Sequence, residues 1–361
     1  MASSKQERRD YRSALLLTAS VLSCLALASH ALLRSESSVI EALLVLGGVA
    51  LGARTLVVGR RRSLPEASRI GAYTLDGKLG EGGMGVVYKA HHDLLERPAA
   101  IKFLSHEREP AAEARFEQEV QLTSRLTHPN TISIYDFGRT PRGQFFYVME
   151  WIDGMDLQSL VKREGRLPPA RVAYLLAQVC GALSEAHELG LIHRDVKPAN
   201  VMVCQRGRQR DVVKLLDFGL IERIGAGARL RDESPDTVVG TPLYLAPETL
   251  TAPERVDARS DLYAVGALDY FLLTGAAPFS GKSALDIFAQ HLKSEPVSPS
   301  RRVATPIPAP LEALILSCLR KSPDERPHSA RALQREFERL AASLRERPAA
   351  APVDVPSARA A

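Results

Sequence analysis

The run His193-Arg194-Asp195-Val196-Lys197-Pro198-Ala199-Asn200, with Asp217-Phe218-Gly219 a short way downstream, gathers two carboxylates, an amide, a lysine and an arginine. A carboxylate and an amide carbonyl are hard oxygen donors of the kind a small divalent cation takes. A second carboxylate can orient a hydroxyl or accept its proton, and a lysine beside it can neutralise charge on a phosphoryl group in transfer. The types and spacing therefore suit metal-assisted chemistry on a phosphate and a hydroxyl.

Upstream, Gly80-Glu81-Gly82-Gly83-Met84-Gly85-Val86-Val87 fits G-x-G-x-x-G-x-V. Glycines let a backbone approach phosphates, and exposed N–H groups can bond their oxygens. A dinucleotide fingerprint needs a helix directly after the glycines, whereas Val86-Val87-Tyr88 continues as a strand. By itself the stretch could equally be a structural turn. Lys102, in Ala99-Ala100-Ile101-Lys102, falls on a strand, and Glu119 on the helix that follows. Such a pair can hold a lysine against the α- and β-phosphates, though a lone Lys/Glu pair more commonly reads as an exposed lysine and a solvated glutamate. Gly275 to Gly281-Lys282-Ser283 is not a Walker A loop, because five residues separate the glycines where that motif needs four.

The elements that must position these groups fall into two blocks. Short strand patterns are expected near 73–79, 86–90, 98–104, 132–137 and 145–149, interrupted by a helix over 111–126. Helices dominate after Gly154. In 169–189, Val172, Leu175, Leu176, Val179, Cys180 and Leu183 keep a 3.6-residue period, and Gly190 follows as a stop. Further helices are expected near 258–274, 283–293, 309–320 and 328–344. The boundary between the blocks falls at 151–154, giving a strand-rich lobe at 73–150 and a helical lobe at 151–344. The Ala/Pro-rich tail, 345–361, is expected to be disordered.

Residues 1–72 differ. Ser13–Leu33 lacks Asp, Glu, Lys and Arg, and its 21 residues would reach about 31 Å as a helix, enough to cross a bilayer. A second apolar stretch, 39–59, contains Glu41 and Arg54. Basic residues before the first stretch (residues 1–12) and in the linker 60–72, including Arg60-Arg61-Arg62, predict a transmembrane helical hairpin with both ends in the cytoplasm. A cleaved signal peptide, or a buried or interfacial second helix, are the alternatives. The hairpin implies a multi-pass protein of the inner membrane, in contact with lipid, its globular part facing the cytoplasm.

Composition sets the remaining bounds. At 45% hydrophobic and 25% charged residues, the 361-residue chain can bury a core. The net charge of +5 is spread out with no aromatic-interleaved stripe, so no nucleic-acid partner is expected. Four dispersed cysteines lack metal-ligand spacing and read as reduced, apolar side chains.

Taken in order, the glycine loop, Lys102, Glu119, His193-Arg194-Asp195, Asn200, Asp217-Phe218-Gly219 and Ala246-Pro247-Glu248 resemble the protein kinase family, specifically the bacterial Hanks-type serine/threonine kinases. The resemblance spans about Tyr73 to Leu344. It implies an α+β, two-lobed kinase fold with a β-rich N-lobe and a helical C-lobe, which in this chain would follow the helical hairpin expected from hydropathy. It implies ATP with Mg2+, Mn2+ being an alternative, and protein Ser/Thr substrates, the chain itself included; a homodimer is also allowed.

The resemblance carries roles onto particular residues. Asp195 would orient or deprotonate the hydroxyl, Lys197 would lie beside the γ-phosphoryl, and Asn200 and Asp217 would hold metal. Lys102 and Glu119 would hold the phosphates. Leu79, Gly80, Gly82, Gly83, Gly85, Val87 and Ala100 would surround the nucleotide. Met149 would be the gatekeeper, the backbone of Glu150 and Ile152 would meet the adenine, and Asp156 would reach the ribose. Thr241 matches the Ser/Thr pocket. Arg194 could pair with a phosphorylated activation loop, whose candidates are Ser234 and, preferred, Thr237. Glu248 and Arg326 match a buried ion pair and Asp261 a brace on the catalytic loop, while His187 reads as an ordinary helix residue. A pseudokinase scaffold would need a broken catalytic or metal position, and Lys102, Asp195, Asn200 and Asp217 are intact. A small-molecule kinase on this fold is disfavoured by Thr241 and Ala246-Pro247-Glu248. Unlike relatives that carry an external sensor after the kinase, this chain has its apolar stretches first, joined only by Arg34–Ser38, so no extracellular ligand-binding domain is expected.

Overall fold

The computed structural model describes residues 69–82, 85–104, 120–216 and 242–345. The first half is a six-stranded antiparallel sheet: β1 (Arg69–Ile70), β2 (Tyr73–Gly82), β3 (Gly85–His92), β4 (Pro98–Leu104), β5 (Ile134–Arg139) and β6 (Phe145–Glu150), in the order β1-β2-β3-β4-β6-β5. Residues 98–104 are nearly all apolar and β4 is buried on both faces, as a strand at the centre of a curled sheet must be. Ala99, Ile101 and Phe103 pack with Ile70, Tyr88, Phe146 and Val148 on one side. Ala100 and Leu104 face Tyr147, Met149 and Ile152 on the other. That alternation puts Lys102 on the second face, between Val87 of β3 and Tyr147 of β6.

Beyond β6 the chain forms β7 (Gly154–Asp156), then α1 (Leu157–Glu164) and α2 (Pro169–Glu188). Pro169 opens α2, where a missing N–H costs nothing. Val172, Leu175, Leu176, Val179, Cys180 and Leu183, the periodic set, are wholly buried. Next come β8 (Val201–Arg206) and β9 (Gln209–Leu215), a hairpin paired to β7. Neither strand is expected from the sequence, because the two short apolar runs flank the strongly polar Arg206–Arg210 turn. The remaining helices are α3 (Pro247–Thr251), α4 (Ala258–Thr274), α5 (Ala284–Lys293), α6 (Ala309–Cys318) and α7 (Ala330–Arg345). Gly275, left-handed at φ 78°, caps α4, and Ser283 with Asp286 forms a capping box on α5, so the Walker-like stretch is a helix–helix connection. Of the helix expected over 111–126, helical residues are described from Val120 on.

One expectation is corrected. Among the described residues no helix is long and apolar enough to cross a membrane, and the multi-pass inner-membrane assignment is withdrawn. The longest helix among the described residues, α2, buries its apolar face in the helical core and carries Arg171, Glu185 and Glu188. The stretches 13–33 and 39–59 that suggested the hairpin lie outside the described residues, as does the tail beyond Arg345. Cys180, Cys204 and Cys318 are free and buried.

Candidate active site

The loop after α2 is fixed from below by a single carboxylate. Asp261, in the first turn of α4, is 1% exposed. Its Oδ2 accepts the His193 N–H at 2.8 Å, and its Oδ1 accepts the Arg194 N–H at 2.8 Å. His187 Nε2 lies 2.7 Å from Oδ2. Burial alone would raise this acid's pKa, but the His187 hydrogen bond, together with the His193 backbone N–H, pulls it below the usual carboxylate range. His187 is thus a partner of the brace, not an ordinary helix residue; its place in the last turn of α2, six residues before His193, was the available signal.

His193 is fully buried and its ring bridges two functional segments. Nδ1 accepts the Asp195 N–H at 3.2 Å, so the ring hydrogen sits on Nε2, which donates to the Leu216 carbonyl at 2.8 Å. Leu216 immediately precedes Asp217 and itself donates to the Asn200 carbonyl at 2.9 Å. Arg194 is left-handed, φ 63°, a conformation costing an L-residue about 1–2 kcal/mol. The paired bonds of His193 and Arg194 to Asp261 hold it there.

Two side chains converge on Asp195. Lys197 Nζ lies 2.9 and 2.8 Å from its two carboxylate oxygens. Asn200 Nδ2 donates to the Asp195 carbonyl at 2.9 Å and to its Oδ2 at 2.8 Å. Both amide hydrogens are thereby committed, leaving the side-chain amide oxygen Oδ1 of Asn200 as the atom able to face a cation. A hard divalent ion takes such a donor, so Asn200 fits a metal ligand. Asp217 lies outside the described residues, as do Glu119, Gly83, Ser234, Thr237 and Thr241.

On the sheet side, Val87, Ala100, Met149 and Ile152 form one apolar cluster with Met202 and Leu216. Met202, two residues past Asn200 on β8, was not foreseen; it brings the helical lobe into contact with this lining. Lys102 is buried, its Nζ 5.8 Å from the Tyr147 ring centre. The Glu150 N–H is taken by the Ser133 carbonyl at 2.9 Å, and its carboxylate pairs with Arg206 and with Lys214 at 2.8 Å. The Ile152 amide has no hydrogen-bond partner among the described residues. Asp156 N-caps α1, its Oδ1 accepting the Ser159 N–H and its Oδ2 the Ser159 hydroxyl, both at 2.8 Å. Gly80, Gly82 and Gly85 lie where β2 and β3 close a hairpin, and Leu79 is 47% exposed. At Gly85 a Cβ would meet the Phe103 carbonyl oxygen at 1.9 Å, so only glycine fits.

Glu248 and Arg326 form the expected buried pair, bidentate at 2.7 Å in both bonds, with the Ser260 hydroxyl on Glu248. It ties α3 to the segment before α7 and anchors the chain leaving the site.

A curled sheet lobe presenting Lys102, joined to a helical lobe presenting Asp195, Lys197 and Asn200, is the two-lobed protein kinase fold. A family model described as the protein kinase domain matches residues 73–338. The chain is 41% identical over 277 residues to the serine/threonine-protein kinase Pkn3 of Myxococcus xanthus, covering 74% of this chain and 49% of that protein. It is 40% identical over 314 residues to PksC of Streptomyces coelicolor, covering 83% and 54%. Against PknB of Mycobacterium tuberculosis it is 37% identical over 273 residues, covering 74% and 42%. The chain thus spans about half the length of the curated relatives it matches. The crystal structure of the M. tuberculosis PknI kinase domain superposes with a TM-score of 0.60 at 29% identity, covering 77% of this chain and all of that one. This chain belongs to the protein kinase family. The family uses ATP and a divalent metal ion, generally Mg2+.

Proposed function

We propose that this chain transfers the γ-phosphoryl group of ATP to Ser or Thr hydroxyls of proteins. The observation that carries the reading is the Asp195–Lys197–Asn200 cluster, held on a strained loop by Asp261. In the step itself the acceptor oxygen bonds to the γ-phosphorus, the bond to the bridging oxygen breaks, and ADP leaves. Asp195 orients the hydroxyl and takes its proton. Lys197, already within bonding reach of Asp195, meets the phosphoryl oxygens and offsets their charge as they pass between nucleotide and acceptor. Asn200, with Asp217, would hold Mg2+, which supplies charge neutralisation at the phosphates. Lys102, with Glu119, fixes the α- and β-phosphates. The apolar lining of Val87, Ala100, Met149 and Met202 takes the adenine, and the unbonded Ile152 amide offers it a hydrogen bond.

The reading extends to the chain as its own substrate, Thr237 being the preferred acceptor and Ser234 the second, with Arg194 near enough in sequence to the base to receive the new charge. Incubation of the purified chain with ATP and Mg2+, then phosphosite mapping, tests this. Incorporation at Ser/Thr that stops on chelation of the metal is expected. Labelling that persists without metal, or falls on other residue types, contradicts it.

A further inference from the structure

A cavity of about 540 Å³ opens on the helical lobe, lined by Pro168, Tyr174, Arg171, Arg210, Asp211 and Arg345. It is built from the first turns of α2, the start of β9 and the last residue of α7. The Arg171 guanidinium is occupied: it bonds Asp211 at 2.9 and 2.7 Å and Glu164 at 2.7 Å, and Arg163 also pairs with Glu164. Those two arginines and two carboxylates cancel in charge. Arg210 and Arg345 are left over. Both are exposed, and among the described residues neither has a carboxylate partner. Arg345 lies with its guanidinium carbon 4.5 Å from the Tyr174 ring centre, and Gln209 donates to the Tyr174 hydroxyl at 3.1 Å. Asp211, left-handed at φ 56°, is held through its carbonyl by Gln178 at 2.9 Å, so the strand carrying Arg210 is fixed against α2. Two guanidiniums without a carboxylate partner among the described residues, one of them over the Tyr174 ring, in a concave site, suit a segment rich in carboxylates.

The site stands apart from the reacting groups. It lies at the N-terminal end of α2, whose 20 residues lead to the catalytic loop, a separation of about 30 Å at helical rise. An extended peptide needs about nine residues to cover that. We propose that this cavity docks an acidic segment of the protein substrate, about nine or more residues from the phosphoacceptor. The proposal rests on the phosphotransfer reading above.

The test uses two peptides with one acceptor sequence, the longer carrying a Glu-rich block about ten residues away. With wild type the acidic block lowers KM about tenfold and leaves kcat unchanged, since docking remote from the chemistry contributes uniform binding. The Arg210→Glu/Arg345→Glu double variant loses that advantage while turning over the short peptide as wild type does. Equal KM values for the two peptides in wild type, or an advantage that survives in the double variant, overturn the proposal. Fluorescence anisotropy of the labelled acidic peptide with the full chain, without ATP, reads docking independently. If neither peptide is phosphorylated but binding depends on Arg210 and Arg345, docking stands and the phosphotransfer reading fails. Retention of the chain on phosphatidylglycerol vesicles through the same arginines, with no peptide binding, also overturns the proposal.

Discussion

Replacing Asp261 by Asn keeps the side chain's shape and removes half of its hydrogen-bond chemistry. One oxygen becomes an NH2 group, which cannot accept. Placed at Oδ1 it faces the Arg194 N–H; placed at Oδ2 it faces the His193 N–H, both 2.8 Å away. A buried backbone donor is left unsatisfied in either orientation, at about 1–3 kcal/mol, and the charge assistance to the remaining bonds is lost as well. The expected destabilisation is about 2–4 kcal/mol, a fall in Tm of about 5–15 °C for a domain of this size. Function suffers separately. The left-handed Arg194 stores about 1–2 kcal/mol that the two bonds offset, and its relaxation moves Asp195, so kcat falls on the order of 100-fold. Because the folded-state pKa of Asp261 is depressed, its stabilisation is full above the ordinary carboxylate range and is lost as pH falls through the folded value. The gap between wild type and Asp261→Asn should therefore narrow in acid. Thermal unfolding by circular dichroism over a pH series, beside peptide turnover, measures both effects. A Tm within about 1 °C of wild type together with an unchanged kcat would refute the reasoning.

Three further perturbations test other parts of the account. His291 is fully buried, 2.8 Å from the Tyr263 hydroxyl, and burial, then the Lys321 charge, lowers its pKa to about 4. The unfolded chain protonates first as pH falls from about 6.5 to 4, so stability should drop by about 3 kcal/mol across that window. His291→Gln should flatten the slope in urea titrations, and an unaltered slope would count against it. Asp269 is buried on α4 with both carboxylate oxygens unpartnered among the described residues, and burial pushes its pKa well up. Folding must then retain a proton that the unfolded chain releases at neutral pH; Asp269→Leu should stabilise the protein by about 1–4 kcal/mol, more at pH 8 than at pH 5, and destabilisation at pH 8 would contradict this. Gly85→Ala drives a methyl into the Phe103 carbonyl and should raise the KM for ATP while lowering Tm; kinetics and Tm like wild type would show that the β2–β3 hairpin has another geometry.

Most of the site was legible because its chemistry sits in contiguous runs. His193 to Asn200 announces its groups in eight residues, and the local turn brings them together with little help from the rest of the chain. Lys102 was legible as a strand residue, but its place opposite Val87 and Tyr147 comes from sheet register, which a single strand does not declare. What was missed depends on tertiary contact. His187 became a partner of Asp261 only when α4 packed beside α2, and Met202 joined the apolar cluster of Ala100 and Met149 only when β8 met the sheet lobe. Asp156 is the opposite case: the local rule for an Asp ahead of a helix, an N-cap, is legible from sequence and describes contacts its carboxylate makes. The membrane assignment rested on hydropathy in residues 13–59, with nothing in the described helices to support it.

The central claim is that Asp195, gripped by Lys197 and Asn200, carries phosphoryl transfer to a protein hydroxyl. The direct measurement is the rate of γ-phosphoryl transfer from Mg·ATP to a Ser/Thr peptide by wild type and by Asp195→Asn, with far-UV circular dichroism confirming that both are folded. A loss on the order of 10²–10⁴-fold in kcat for the variant is predicted. Equal rates for the two proteins would contradict the account.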